Sequence, residues 1–262
     1  MSDSRPIGVF DSGVGGLSVW KEMIKILPFE SVIYYADNKN CPYGNKSPES
    51  IIQLSSKVVD FLLTKDVKSI VVACNTATAA AIDHLRKNYT IPFIGMEPAV
   101  KPASLNSKTK SIAILATEGT FNGKLFRETS RKYARDVELN IEIGNDLVDI
   151  VEKGLINEQS TYNYLKQVVK PLVDKDIDHL VLGCTHFPFL IPVLQKVLPE
   201  NVKIIDPAPA VAKQTFRVLQ QKKILNQSFQ KPQYDFYSSG QTVVLESILK
   251  DIFGFDIEIH AV

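Results

Sequence analysis

Three cysteines carry the most reactive side chains of this 262-residue sequence: Cys41, Cys74 and Cys184. Cys74 follows the apolar run Ile70 to Ala73 and precedes an Ala-rich stretch beginning near Thr76. Cys184 follows Leu180 to Leu182 and precedes Pro188, a residue suited to the first turn of a helix. A thiol at a strand-to-helix junction meets unpaired N–H groups and the positive end of the helix. That lowers its pKa from about 8.5 and favours the thiolate. Either cysteine alone also fits a small apolar plug at a strand end. Two of them, each followed by hydroxyl or amide side chains, point to a reactive pair. His186 stands two residues after Cys184 and can tune that thiol, although capping is the commoner role for a lone histidine. Asp11 ends the run Ile7 to Phe10, either as a helix cap or as a carboxylate facing the other cysteine. Cys41 precedes Pro42 in a loop, has no partner close in sequence, and reads as non-catalytic.

Competing chemistries fit the spacing poorly. Gly13 to Gly16 reads GVGG after a strand, but the third glycine of a dinucleotide fingerprint would fall on Ser18. The N–H groups of Ser12 and the following turn could still hold a carboxylate. No phosphate-loop lysine motif occurs. Cys74, Cys184, His186 and Asp11 are zinc-ligand types, yet no Cys-x-x-Cys pair exists and Cys-x-His is an unusual spacing, so no metal is expected. No lysine stands at a strand end to form a Schiff base, so pyridoxal phosphate is not expected, and neither is any other cofactor.

The elements that position these residues alternate. Strands are expected at Ile7–Phe10, Val32–Ala36, Ile70–Ala73, Ile91–Ile94, Ile112–Ala116, Leu139–Ile143, Leu180–Leu182, Lys203–Ile205, Tyr234–Tyr237 and Ile257–Ile259. Helices are expected at Leu17–Leu27, from Ser47-Pro48 onward, and at Thr76–Lys87, Asn122–Tyr133, Asp146–Lys153, from Glu158 to near Pro171, Pro188–Val197, from Pro207 to near Gln221, and Val243–Phe253. This is an α/β pattern with mainly parallel sheets. An internal echo divides it: VVACNT (Val71–Thr76) matches LVLGCTH (Leu180–His186) loosely, and IGVFDSG matches IAILATEG (Ile112–Gly119). Two similar three-layer lobes are the simplest explanation, with the active site in the cleft between them. The expected division is 1–97 plus 210–262 for the first lobe and 98–209 for the second. Ligands of open parallel sheets sit beyond the carboxyl ends of the strands. There lie Asp11-Ser12-Gly13, Pro42-Tyr43-Gly44, Cys74-Asn75-Thr76, Thr117 to Thr120 and Cys184-Thr185-His186.

Composition sets the outer bounds. Apolar residues make up 45% of the chain, enough for a sizeable core, and 30 Lys plus Arg against 29 Asp plus Glu leave a formal charge of +1. Without a basic patch, nucleic-acid binding is not expected, and small-molecule partners are. The start MSDSRPIGVF lacks a secretory pattern, no apolar run approaches the roughly 20 residues that span a bilayer, and three cysteines make no disulfide framework. A cytoplasmic protein without membrane contact is expected.

The segments GVFDSGVGGLSV, CPYG, VVACNTATA, GMEPAVKPA, LVLGCTHFP and FYSSG, in this order, resemble glutamate racemase over nearly the whole chain. The resemblance implies two α/β lobes and a cofactor-independent isomerase that supplies D-glutamate for peptidoglycan, and it implies a homodimer. It implies Cys74 and Cys184 as catalytic thiols on opposite faces of the substrate, assisted by Asp11 and by His186, with Glu152 in DLVDIVEKG steadying His186. Asp11, Ser12, Tyr43, Gly44, Asn75, Thr76, Thr185 and His186 become substrate contacts. The Cys74 equivalent removes the proton of D-glutamate in that family. Phe187 and Thr78 stand where the family more often has Tyr and Ser. Aspartate or hydantoin racemases share the two-cysteine plan, and a non-catalytic binding protein for small acids is the alternative of another class.

Overall fold

Strands buried on both faces read as continuous apolar runs, whereas an edge strand alternates. The computed structural model, which describes residues 2–228 and 230–262, follows that rule. The fully buried strands β1 (Ile7–Asp11), β3 (Ser69–Val72), β5 (Ser111–Ala116) and β7 (His179–Gly183) lie inside two sheets, and β6 (Glu138–Ile143), with exposed Ile141 and Ile143, lies at an edge. The first sheet adds β2 (Val32–Ala36), β4 (Phe93–Gly95), β9 (Tyr234–Ser238) and β10 (Ile259–Ala261), in the order β10-β9-β2-β1-β3-β4. The second adds β8 (Lys203–Ile205) in the order β6-β5-β7-β8. Every strand pair is parallel.

The echo in the sequence is an echo in topology. Strands β2-β1-β3-β4 and β6-β5-β7-β8 have the same order, with the first strand of each set flanked by the second and third. IGVFDSG and IAILATEG run along the two first strands, and the cysteine segments run along the two third strands. The strand order reverses between first and third strands, which opens a crevice at their carboxyl ends. Asp11 and Cys74 stand at that point of one sheet, Thr117 and Cys184 at that point of the other.

Helices cover the sheets. They are α1 (Leu17–Ile26), α2 (Pro48–Thr64), α3 (Asn75–Asn88), α4 (Val100–Asn106), α5 (Glu118–Phe121), α6 (Lys124–Tyr133), α7 (Asn145–Glu152), α8 (Gln159–Val173), α9 (Ile191–Val197), α10 (Ala208–Gln221) and α11 (Val243–Phe253). Ser47 caps α2 as expected, its Oγ accepting the Ser50 N–H at 3.2 Å, with Pro48 in the first turn. Trp20 of α1 is fully buried and meets Phe236, Tyr234 and Phe253 with ring centroids 5.3, 5.4 and 5.5 Å apart. That aromatic cluster joins the end of the chain to the first sheet.

Several elements depart from the sequence reading. Helix α4 was not anticipated; Pro102 sits in its first turn, where the missing N–H costs nothing. The helix expected from Asn122 starts at Lys124, because Gly123 has extended backbone and caps α6, and the short helix α5 before it was not expected. The helix expected from Pro188 begins as a 3₁₀ turn, Phe187–Leu190, before α9. The last strand is Ile259–Ala261 rather than Ile257–Ile259. Among the described residues no helix is long and apolar enough to cross a membrane.

Candidate active site

Cys74 sits where the apolar strand β3 gives way to α3. It has extended backbone and its Sγ accepts the Ala77 N–H at 3.4 Å, so the thiol itself caps the helix. Ser12 Oγ lies 4.0 Å from the sulfur. The helix start was expected to lower the pKa of this thiol. In the folded chain burial dominates and the Asp11 carboxylate adds to it, so Cys74 is pushed well above its ordinary value despite the Ala77 N–H. Cys74 therefore rests as a thiol, a proton donor.

Asp11, at the end of β1, is wholly buried. Its Oδ2 accepts the Gly16 N–H at 2.7 Å and meets the Thr185 hydroxyl at 3.4 Å, while Oδ1 meets Ser12 Oγ at 3.4 Å. Burial raises its pKa, and the positive His186 nearby works in the other direction. The glycines of the following turn let it pack so closely. A Cβ on Gly15 would stand 2.3 Å from His186 Nδ1 and 2.8 Å from Asp11 Oδ2, and one on Gly16 would stand 2.8 Å from the Asp11 Cβ.

Cys184 follows β7 without capping an α-helix, which corrects the sequence reading. The 3₁₀ turn that follows is capped by His186, and Pro188 and Pro192 fit first-turn positions of that turn and of α9. The partner of Cys184 is a side chain instead: Sγ lies 3.7 Å from His186 Nδ1. The other ring nitrogen, Nε2, lies 2.6 Å from Glu152 Oε1. Glu152 ends α7; its Oε1 also accepts the Val14 N–H at 2.8 Å, and its Oε2 accepts the Asn38 amide at 3.3 Å. Burial opposes charge on His186, but its bonds to Cys184, Cys41 and Glu152 outweigh it and hold the imidazole pKa well above 6.5. Burial likewise opposes charge on Glu152, and the His186 imidazolium overcomes it, so the carboxyl lies below its usual 4.5. An imidazolium thus presents Nδ1–H to the Cys184 sulfur.

Strand-end residues from the two sheets close the crevice. Thr76 Oγ1 lies 2.9 Å from Thr117 Oγ1, which lies 3.0 Å from Thr120 Oγ1. Ser18 Oγ donates to the Thr185 carbonyl at 2.9 Å. Asn75 is buried, and its Oδ1 accepts no hydrogen bond among the described residues. Tyr43 is also buried, but its hydroxyl is committed to Asp37 Oδ2 at 2.6 Å, so its phenol does not face the crevice freely. Gly44 lies against Thr117, where a Cβ would stand 3.2 Å from that side chain. Cys74 and Cys184 keep only 5% and 7% of their surface. A cavity of about 510 Å³ is lined by Gly44, Asn45, Gly119, Lys124 and Arg127 among others, and by neither Cys74 nor Cys184.

Two side chains meet neighbours that lie far along the chain. Cys41, without a partner close in sequence, has its sulfur in a cluster with Glu152 and His186 whose donor atoms lie within 4.8 Å of one another. Asn38 meets Glu152. The only signal for either was the position of this loop at the end of β2. Thr117, after β5, joins the site through the Thr76 hydroxyl.

Such a site can move a proton between two thiols, each with its own polar partner. The comparisons with known proteins bear on that chemistry. A family model described as Asp/Glu/Hydantoin racemase matches residues 7–215. A relative from Ectopseudomonas mendocina named glutamate racemase is 41% identical over 257 residues, covering 97% of each chain. The crystal structure of a glutamate racemase isoform from Bacillus anthracis superposes with a TM-score of 0.89 at 35% identity, covering 98% of this chain and 97% of that one. A glutamate racemase from Francisella tularensis, solved in complex with D-glutamate, gives 0.84 at 32% identity, covering 99% and 98%.

Proposed function

The chain belongs to the Asp/Glu/Hydantoin racemase family, and on that premise we propose that it interconverts L- and D-glutamate by passing the Cα proton between Cys74 and Cys184. The observation that carries this reading is the pairing of each thiol with its own proton-handling partner at equivalent strand ends: Cys74 with Asp11, and Cys184 with the His186–Glu152 pair.

Racemisation removes a proton from one face of Cα and returns one to the other. For L-glutamate, the Cys184 thiolate, held by the His186 imidazolium, takes the Cα proton. The electron pair stays on Cα and spreads into the α-carboxylate. The Cys74 thiol then gives its proton to the opposite face, leaving D-glutamate, a Cys74 thiolate and a Cys184 thiol. The D-to-L direction reverses each step, with Cys74 as the base. The Cα–H is a very weak acid, so the developing charge needs fixed donors, and N–H groups at the start of α3 and in the turn after β1 are suited to supply them. In this reading Ser12, Tyr43, Gly44, Asn75, Thr76 and Thr185 contact the two carboxylates. No group outside the chain and its substrate enters the balance.

D-glutamate for peptidoglycan, a cytoplasmic location and a homodimer complete the reading. Light scattering on the purified protein tests the dimer.

The deciding experiment incubates reduced protein, without added cofactor, with L-glutamate and separately with L-aspartate in heavy water. NMR follows the Cα–H signal, and circular dichroism follows chirality. Loss of both signals for glutamate alone is the expected result. The same behaviour with aspartate alone moves the substrate and keeps the mechanism, while exchange with neither overturns the reading.

A further inference from the structure

Around the His186–Glu152 pair a second set of groups converges. The Cys41 sulfur, a Glu152 oxygen and a His186 nitrogen all lie within 4.8 Å of one another. Gly13 makes the room: a Cβ there would stand 1.9 Å from Glu152 Oε1 and 3.1 Å from the Cys41 sulfur. Two members of the cluster, Cys41 and Glu152, line a cavity of about 320 Å³ together with Asn38, Lys39, Asp149 and Gly240 among others, while the buried His186 does not line it. None of the residues lining it is Cys74 or Cys184.

A thiol, an imidazole and a carboxylate form a donor set that suits zinc. A tetrahedral ion bonded at about 2.0–2.3 Å keeps its donors roughly 3.3–3.8 Å apart. The cluster therefore closes around an ion by side-chain shifts of about 1 Å, and the 2.6 Å Glu152–His186 hydrogen bond opens to admit it. We propose that Cys41, Glu152 and the Nε2 of His186 form a binding site for a thiophilic divalent cation of the zinc class, entered through this cavity, and that occupancy arrests the reaction.

The exchange balances without electron transfer. Cys41 releases its thiol proton and His186 its Nε2 proton, both to solvent, and their lone pairs go to the ion. Glu152 trades the Nε2–H for the metal, and a water fills the fourth position. His186 keeps its Nδ1 proton but is no longer a mobile imidazolium beside Cys184. Because two protons leave, binding strengthens as pH rises. Burial pushes the Cys41 thiol up to about 11, so the ion must displace a proton there rather than find a thiolate waiting. The binding part stands alone, whereas the arrest rests on the proposed role of His186 and Cys184.

Equilibrium dialysis with Zn²⁺, and Co²⁺ titration followed by absorbance, test the site on the reduced full chain. The expected result is one ion per chain with a thiolate-to-cobalt charge-transfer band. Cys41→Ser should lose the band and weaken binding by at least about tenfold, while Cys184→Ser keeps both. Alkylation of the unaltered protein, read by peptide mass, should show Cys41 protected by Zn²⁺, which checks the ligand without a variant. Absence of stoichiometric binding overturns the site. So does a band that survives in Cys41→Ser or disappears in Cys184→Ser. Racemisation should fall in step with occupancy and return with a chelator; binding without that fall removes the arrest and leaves the site.

Discussion

A single oxygen of Glu152 accepts from both sides of the crevice: Oε1 lies 2.6 Å from His186 Nε2 and 2.8 Å from the Val14 N–H of the glycine turn. Helix α7 brings this carboxylate 34 positions along the chain to its histidine, and 138 positions to Val14. The carboxylate therefore fixes the imidazole while resting on a turn that belongs to the other sheet.

This pair should leave a pH signature. The carboxyl of Glu152 is lowered, so its contribution to stability is present above the usual 4.5 and is lost as pH falls below it. The imidazole of His186 is raised, so its contribution is full below the usual 6.5 and is lost only as pH climbs through the higher folded value. Both groups are charged between the two. Glu152→Gln should cost about 1–3 kcal/mol within that window, less than breaking a fully buried pair, because Glu152 keeps some solvent access. The cost should shrink on either side. Thermal unfolding of both proteins across pH measures it.

Replacing either thiol should separate the two directions of proton flow. Cys74→Ser and Cys184→Ser are each expected to lower racemisation by roughly 10²–10⁴-fold, because a hydroxyl is a much weaker acid than a thiol. Circular dichroism of glutamate gives the rate. Residual deuterium uptake should favour the L enantiomer in Cys74→Ser and the D enantiomer in Cys184→Ser. Near-normal racemisation in both variants would end the two-thiol mechanism.

Gly15→Ala should damage activity with little effect on the fold. The new methyl would stand 2.3 Å from His186 Nδ1, so the imidazole must turn away from Cys184. A fall of about 10²-fold in kcat, with far-ultraviolet circular dichroism unchanged, is the expected outcome. An unchanged kcat would show that the ring need not face the sulfur.

Asn75→Ala should raise KM while leaving stability level or slightly higher. The Oδ1 of Asn75 is buried with no donor among the described residues, and removing an unsatisfied acceptor relieves about 1–3 kcal/mol of desolvation cost. Steady-state kinetics and a melting curve on one preparation decide it. A large loss of stability without a change in KM would make Asn75 structural.

Much of the architecture was legible because local signals agreed with it. Apolar runs marked the buried strands β1, β3, β5 and β7, and Ser47-Pro48 marked the start of α2. The cysteine segments betrayed the repeat, since equivalent strand ends face equivalent chemistry. Boundaries slipped where backbone geometry overrode composition, as at Gly123, whose extended backbone delays the helix expected from Asn122 until Lys124. The turn after Cys184 slipped for a similar reason: FPFLIPV places prolines so close together that a 3₁₀ turn must precede α9.

The sequence by itself determined which atoms could do chemistry: two thiols after apolar strands, a carboxylate before a glycine turn, and a histidine beside the second thiol. Only the tertiary structure decided their protonation and their neighbours. Burial reversed the helix effect at Cys74, because removing a thiolate from water costs more than one N–H returns. Packing brought Cys41 and Asn38 to Glu152, because the end of β2 and the end of α7 meet only when the two sheets face each other. Neither result is local to a segment, and so neither could be read along the chain.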